Sequence, residues 1–521
     1  MRLVLALCLA SGLYAGDAVL PLPSVIPKDA PVTLIVQDVP RLVTHFLASP
    51  LAQLYARPWA IHAVDKLTRN MTEAASHLPL HRVLLSLQAV SVGIDLDRQG
   101  QPVMLAEASL ADPLAMGTLL TASADRLQDR PGMPVRWIAQ QFSVERHEKT
   151  WVLAVGDTAM EYQPGVHPVL PSVVADADIG LKIDVQNAMG TRSLIGPLHG
   201  DVVPAGAPII TGIVRATPEG LTERWLLPTA PPTTTDGGIT RVDFARFPID
   251  TISAAIMRTA GPDLATALER SGFTKTSGAE VVNNQLSAAG LPALIPFLRG
   301  ITGDLVLCIG EGVPLPTITI SMQMEPTLAT TLAKRFANAL GLVATADPQV
   351  FFGKLNPIMP VQVSSMNGRF LATTLAGGAA QWDNRMGGFL ERPEIAAQVA
   401  AMRFQGTTIA SLSRSSEFWA LLAALTATQI QQAGIPNVID IPGDVRALAL
   451  GGYFEAVQTQ RGLEVSARGL LGGPMSMYSL MGASGGYVTL RDMFINMANR
   501  KISREQVKKA SPYAQPPAKT P

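Results

Sequence analysis

One plan of residues occurs twice in this chain, and it limits the fold more than any other feature. Residues 304–340 run DLVLCIGEG, then LPTITISMQM, then EPTLATTLAKRFANAL. Residues 89–127 run AVSVGIDL, then QPVMLAEASL, then ADPLAMGTLLTASADRL. Each copy is two apolar runs of strand length, an acidic residue, a proline and an amphipathic pattern. Pro113 and Pro326 suit the first helical position, where the backbone N–H has no partner to lose. Asp112 is a good N-cap, and Glu325 a poorer one whose charge still suits the positive helix end. Leu328, Leu332, Phe336 and Leu340 recur every four residues, as one helix face does. Met116, Leu119, Leu120 and Leu127 do the same in the other copy.

Further echoes keep the same order. Met133-Pro134-Val135 and Met359-Pro360-Val361 each open a strand pair after the helix. Those pairs end alike, in TWVLAV at 150–155 and RFLATT at 369–374. Each half reads strand, two helices, hairpin, helix, hairpin, strand, helix, hairpin. The expected fold is therefore α+β: two tandem, internally duplicated modules of mainly antiparallel sheet with helices packed on one face. Strand and helix do not alternate strictly, which argues against a Rossmann fold or a TIM barrel.

The proline, threonine and glycine of TAPPTTTDGG mark a linker at 229–238, with almost nothing to bury. It separates a first module at 27–228 from a second at 239–471. A C-terminal extension follows at 472–500. The basic, proline-rich tail at 501–521 reads as disordered, with a polybasic contact to anionic lipid or cell wall as its functional alternative.

The first residues, MRLVLALCLASGLYAGDA, read as a signal peptide spanning 1–18. Arg2 supplies the positive start, and 3–13 is an apolar core too short to span a bilayer. Cleavage fits after Ala18 or Ala15. A lipid anchor on Cys8 fits less well, because Leu7 is bulkier than lipoprotein processing prefers. The expected localisation is exported, periplasmic or extracellular. Once the signal is removed, Cys308 is the remaining cysteine of the two and no internal disulfide forms. The apolar run at 418–430 is too short to cross a membrane and reads as a buried helix. No transmembrane helix is expected after signal removal. Formal net charge is zero, which argues against nucleic acid as a partner.

No catalytic, cofactor-binding or metal-ligating residue is assigned from the sequence. Gly482-Ala483-Ser484-Gly485-Gly486 matches G-x-S-x-G, but that motif needs a strand before it, a helix after it and a histidine further on. All seven histidines (His45, His62, His77, His81, His147, His167 and His199) precede the linker, so the segment reads as a glycine turn. His77 and His81 are separated by Pro79, which breaks the helix that would align them. Asp95 with Asp97, and Asp176 with Asp178, are placed where solvated turn carboxylates are common. His147 falls in a hairpin turn. Gly377-Gly378 and Gly472-Gly473 read as turns. Met322, Met324, Met475, Met477 and Met481 read as core filler.

Pro27-Lys28-Asp29-Ala30 before a strand, a following helix, then Ala48-Ser49-Pro50-Leu51 resembles the start of an uncharacterised family of exported bacterial proteins. Pro248-Ile249-Asp250-Thr251 fits the same step. The resemblance implies no site residues. Two functional classes follow. One is an exported, non-catalytic binding or structural protein of the cell envelope, with an envelope protein or an apolar ligand as partner. The other is an extracytoplasmic hydrolase built from carboxylates and histidine of the first module, such as Asp95, Asp97 and His147. A deep polar cleft gathering Asp95, Asp97 or His147 with other titratable groups would mark the hydrolase, and an apolar groove would mark the binder.

Overall fold

Antiparallel strands dominate the chain, and their registers follow from alternating apolar residues. The computed structural model describes residues 26, 30, 32–62, 82–83, 86–96, 102–129, 131, 133–139, 142–147, 150–156, 177–184, 209–228, 237–258, 261–270, 274, 277–312, 315–356, 359–384, 387–432 and 439–473. The fold is mixed α+β with extensive antiparallel sheet. It divides into two units, one of described residues up to 183 with 213–217, the other including 218–473.

In the first unit β1 (Val32–Val36) leads into α1 (Val39–Ala48) and α2 (Pro50–Tyr55). Asp38 caps α1 by accepting the Arg41 N–H at 2.8 Å. The hairpin β2 (Leu87–Leu96) and β3 (Pro102–Leu110) precedes α3 (Pro113–Ser123). Asp112 accepts the N–H groups of Leu114 and Ala115 at 3.1 and 3.2 Å, which starts α3. Then come β4 (Arg126–Gln128), β5 (Val135–Ala139), β6 (Phe142–His147), β7 (Thr150–Val155) and β8 (Ile179–Asp184). β1 pairs with β8 and β2, β2 with β3, β3 with β7, β7 with β6, β6 with β5, and β5 with β4. Alternation gives β7 two apolar sides. Trp151 joins Leu119, Leu120, Trp137 and Phe142 in a cluster with α3, while Val152 and Ala154 join Ile26, Val103 and Leu105.

β9 (Ile209–Thr217) is followed by β10 (Gly220–Leu227). The sequence reading places β10 at the end of the first module. In the structure it pairs with β20 (Gly462–Gly469), from Leu221↔Gly469 to Leu227↔Leu463, and belongs to the second unit.

The second unit continues through α4 (Arg241–Ala245), β11 (Thr251–Met257), α5 (Gly261–Arg270), α6 (Ser277–Ala288) and α7 (Leu294–Arg299). The hairpin β12 (Ile301–Gly310) and β13 (Thr317–Met324) precedes α8 (Pro326–Ala339). Next are β14 (Val343–Ala344), β15 (Val350–Asn356), β16 (Met359–Met366), β17 (Arg369–Thr373) and α9 (Gly378–Asp383). A 3-10 turn (Phe389–Glu391), α10 (Pro393–Ala401), β18 (Thr407–Ser413), α11 (Ser415–Leu425), α12 (Ala427–Gln432), α13 (Asp440–Arg446) and β19 (Gly452–Thr459) lead to β20. β11 pairs with β12 and β18, β12 with β13, β13 with β17, β17 with β16, β16 with β15, and β15 with β14. β18 pairs with β19, and β19 with β20. From β11 to β18 this is the pairing order of β1 to β8.

Helices cover both faces of the second unit's sheet, not one face. Ile320 and Met322 lie under α8 with Leu328, Ala329, Ala333 and Ala337. Val306, which pairs with Ser321 between those two residues, lies on the opposite face. There it packs with Cys308, Ala254, Phe244, Phe247, Phe389 and Ile395. Apolar residues at successive strand positions need cover on both sides, and α4, the 3-10 turn and α10 supply the second cover.

Four local expectations change. Leu127 is 59% exposed on β4, because α3 ends at Ser123. α8 turns Ala329, Ala333 and Ala337 to the sheet, with Phe336 more exposed, because small residues let the helix approach. Met133-Pro134-Val135 leads into β5 whereas Met359-Pro360-Val361 opens β16, so this echo does not join equivalent strands. The 418–430 run is two helices, α11 and α12, with Leu425 exposed. Among the described residues no helix is long and apolar enough to cross a membrane.

Phe389 is fully buried between the sheet and its second cover. Phe389→Ala is expected to remove about 3–5 kcal/mol of unfolding free energy, read by urea titration of the whole chain.

Candidate functional site

Two concavities stand out, one in each unit. The first is a groove of about 530 Å³ beside α3. The sequence of α3, PLAMGTLLTAS, holds no charged side chain. One side buries Ala115, Leu119, Leu120 and Ser123. The other carries Leu114, 77% exposed, with Gly117, Thr118 and Thr121. Thr118 Oγ1 donates to the Leu114 carbonyl at 2.9 Å and Thr121 Oγ1 to the Gly117 carbonyl at 2.8 Å. Both hydroxyls are thus satisfied within the helix. A Cβ added at Gly117 would meet nothing within 4 Å, so this part of the groove is open.

Trp137 and Trp151 complete the lining, with ring centroids 5.4 Å apart. Strand register puts Arg146 opposite Trp151, and its guanidinium carbon lies 5.6 Å from the indole centroid. Glu145, on the other side of β6, pairs across the strands with Arg136 at 3.4 Å and with His147 at 3.1 Å.

The second concavity, of about 490 Å³, is polar. Asp304 from β12, Gln323 from β13, Arg369 from β17, and Trp382 and Asp383 from α9 line it, with Arg246. Its carboxylates are held by arginine forks. Arg258 Nε and Nη2 donate to the two oxygens of Asp304 at 2.9 and 2.8 Å. Arg369 holds Asp383 the same way, at 2.9 and 2.8 Å. Arg258 also donates to Asp243 at 2.8 Å. Burial pushes the Asp243 carboxyl up, but hydrogen bonds from Arg258 and Thr240 outweigh it and hold it below the usual range. Hydrogen bonds from Arg258 to Asp304 and Asp243 in turn hold that guanidinium above its ordinary value. Asp243, held ionised, is a poor proton donor.

The structure holds Asp95 and His147 apart. Asp95 pairs with Val103 on β3, whereas His147 pairs with Thr150, which pairs with Ser109. Six residue steps along β3, from Val103 to Ser109, separate those levels, about 20 Å at the rise of a strand. Asp97, Asp176, His77, His81, His167, His199, residues 1–18 and the 482–486 segment lie outside the described residues, as do Met475, Met477, Met481 and the 501–521 tail. Most of the 229–238 linker and of the 472–500 extension does too. Met322 and Met324 are in the core under α8. Cys308 is buried, with Thr251 Oγ1 at 3.7 Å. Among the described residues no group of three histidine, cysteine or carboxylate side chains would hold a metal.

Asp178 is 1% exposed and meets His45, which the sequence had not singled out. Its Oδ1 lies 2.7 Å from His45 Nδ1 and 3.9 Å from Arg41 Nε, and its Oδ2 accepts the Ala216 N–H at 2.8 Å. Asp178 therefore ties α1, β8 and the end of β9 together.

Glu455 is another buried carboxylate, hidden in the apolar run GGYFEAV. It is 1% exposed on β19. Burial raises its carboxyl above the usual range, although the N–H groups of Arg403, at 2.9 Å, and Phe404 oppose this. Phe404 has φ +59°, so two successive N–H groups turn toward the one carboxylate. A raised folded pKa contributes stability below the unfolded value, about 4.3, and that contribution is lost as pH rises through the folded value. Glu455→Gln removes the titration. Its melting temperature relative to the natural chain is expected to be level below about pH 4 and to rise toward neutral pH. A fall over that interval would show that burial is not the dominant cause.

The chain matches no family model and no curated protein. Among solved structures, crystal forms IV, III and I of TP0453 are similar in part. Their identities are 11%, 12% and 11% and their TM-scores 0.27, 0.27 and 0.25. The matches cover 41%, 43% and 43% of this chain and 83%, 84% and 83% of those chains. Likenesses of this size carry no argument about fold or function.

Proposed function

We propose that this chain is an exported, non-catalytic binding protein that holds an apolar ligand in the groove beside α3. The observation that carries the reading is the uncovered side of that helix. A helix apolar on every side is normally buried on every side. Here Leu114 is largely exposed and the two threonines bond back into their own helix. Trp137 and Trp151 lie beneath the groove as part of the core, with little of either ring exposed. Absence of catalysis is supported by the polar cleft, where Asp304 and Asp383 are each gripped by an arginine.

Two further parts belong to the same reading. The modules are copies of one α+β plan, supported by the shared pairing order from β1 to β8 and from β11 to β18. Export rests on residues 1–18 and places the protein in the periplasm or outside the cell. The hydrolase alternative draws on one observation: a buried carboxylate orienting an imidazole, as Asp178 does His45, is how a general base is held. The Ala216 and Arg41 contacts of Asp178 favour a structural tie instead.

Binding is tested by titrating the full chain with a neutral apolar dye, N-phenyl-1-naphthylamine. Saturable binding is expected, weakened about tenfold or more by Leu114→Glu, since burying an unpaired charge is strongly unfavourable. Gly117→Phe fills the groove from an open helix position and should weaken binding equally. Saturable binding indifferent to both changes would overturn the groove, and no binding would overturn the apolar ligand. Export is tested by the mass of the chain recovered from the cell envelope. Its first residue is expected to be 16 or 19, and an intact Met1 would count against export.

A further inference from the structure

We infer that the ligand of the α3 groove is a single-chain amphiphile with an anionic head, and that Arg146 receives the head. This rests on the reading that the groove binds an apolar ligand, and it names the class.

Charge placement carries the inference. Arg146 is exposed at the groove, held over the Trp151 ring by strand register. The carboxylate beside it in sequence, Glu145, is on the opposite face of β6 and already pairs with Arg136 and His147. Among the described residues no carboxylate pairs with Arg146. A cation fixed on an aromatic face at the edge of an apolar groove keeps its guanidinium donors for a ligand. A carboxylate is the group that fork fits, through two parallel charge-assisted hydrogen bonds. Away from Arg146 the lining is Leu114, the open step at Gly117 and threonines whose hydroxyl protons are already donated, with no second charged group among its residues. One end of the ligand must therefore be anionic and the rest hydrocarbon. A groove of about 530 Å³ falls within the range of small-ligand sites, roughly 300–1,000 Å³, a size that suits a single molecule.

The test uses the full chain, with tryptophan fluorescence reporting binding of dodecanoate and dodecanol below their aggregation limits. Dodecanoate is expected to bind about tenfold more tightly than dodecanol, the scale of a charge-assisted hydrogen bond. Arg146→Gln should bring dodecanoate down to the level of dodecanol, and Arg146→Lys should restore part of the difference. Equal affinities in the natural chain, or a preference that survives Arg146→Gln, would overturn the inference while leaving the apolar groove standing. A chain that takes neither compound overturns both. Vesicles of anionic phospholipid form the remaining arm. Binding to vesicles without saturable uptake of dodecanoate would assign the surface to a bilayer and overturn the monomeric ligand.

Discussion

The ladder running β11–β12–β13–β17 is the constraint on which the second unit depends. Every N–H and C=O buried in it must find a partner, and the four strands, flanked by β18 and β16, provide them. Once the ladder forms, alternation sends Val306 and Cys308 to one side and Ile320 and Met322 to the other. Neither side can be left to water. α8 closes one of them, approaching through alanines. The phenylalanines 244, 247 and 389 close the other, with Ile395 from α10. The same logic governs β7 in the first unit, where Trp151 and Val152 enter different clusters.

The two concavities differ because of what covers each sheet. In the second unit the cover brings ionised side chains to the strands, and they satisfy one another. Arg258 bridges Asp243 and Asp304, so three separate segments meet at one guanidinium. Pairs of this kind organise a surface more than they stabilise it. In the first unit α3 brings no charge. Its outer side stays apolar, and the cation in the groove lining, Arg146, is supplied by a strand.

Hairpins and capped helices were legible because their signals are local. Strand-length apolar runs bounded by turns, and Asp112-Pro113 or Glu325-Pro326 before a helical period, depend on neighbours in sequence. Glu325 makes no side-chain cap, as its chemistry suggested, while Asp112 does. The helices α6, α9 and α10 were missed because SGAEVVNNQLSA, GAAQWD and PEIAAQVAA carry short or weak apolar stripes. Those omissions explain the one-face expectation, since α10 belongs to the second cover. The repeated Met-Pro-Val tripeptide misled for the opposite reason: it is local, but it is not on equivalent strands.

By itself the sequence determined the antiparallel hairpins and the α+β class. These follow from period, propensity and caps, which act over a few residues. Tertiary structure alone decided where those surfaces ended. Register set Arg146 against Trp151, threonine hydroxyls turned inward on α3, and Asp178 met His45 across 133 residues. Long-range pairing also gave β10 to the second unit. A side chain's partner across a sheet depends on strands far apart in sequence, and no local pattern records that distance.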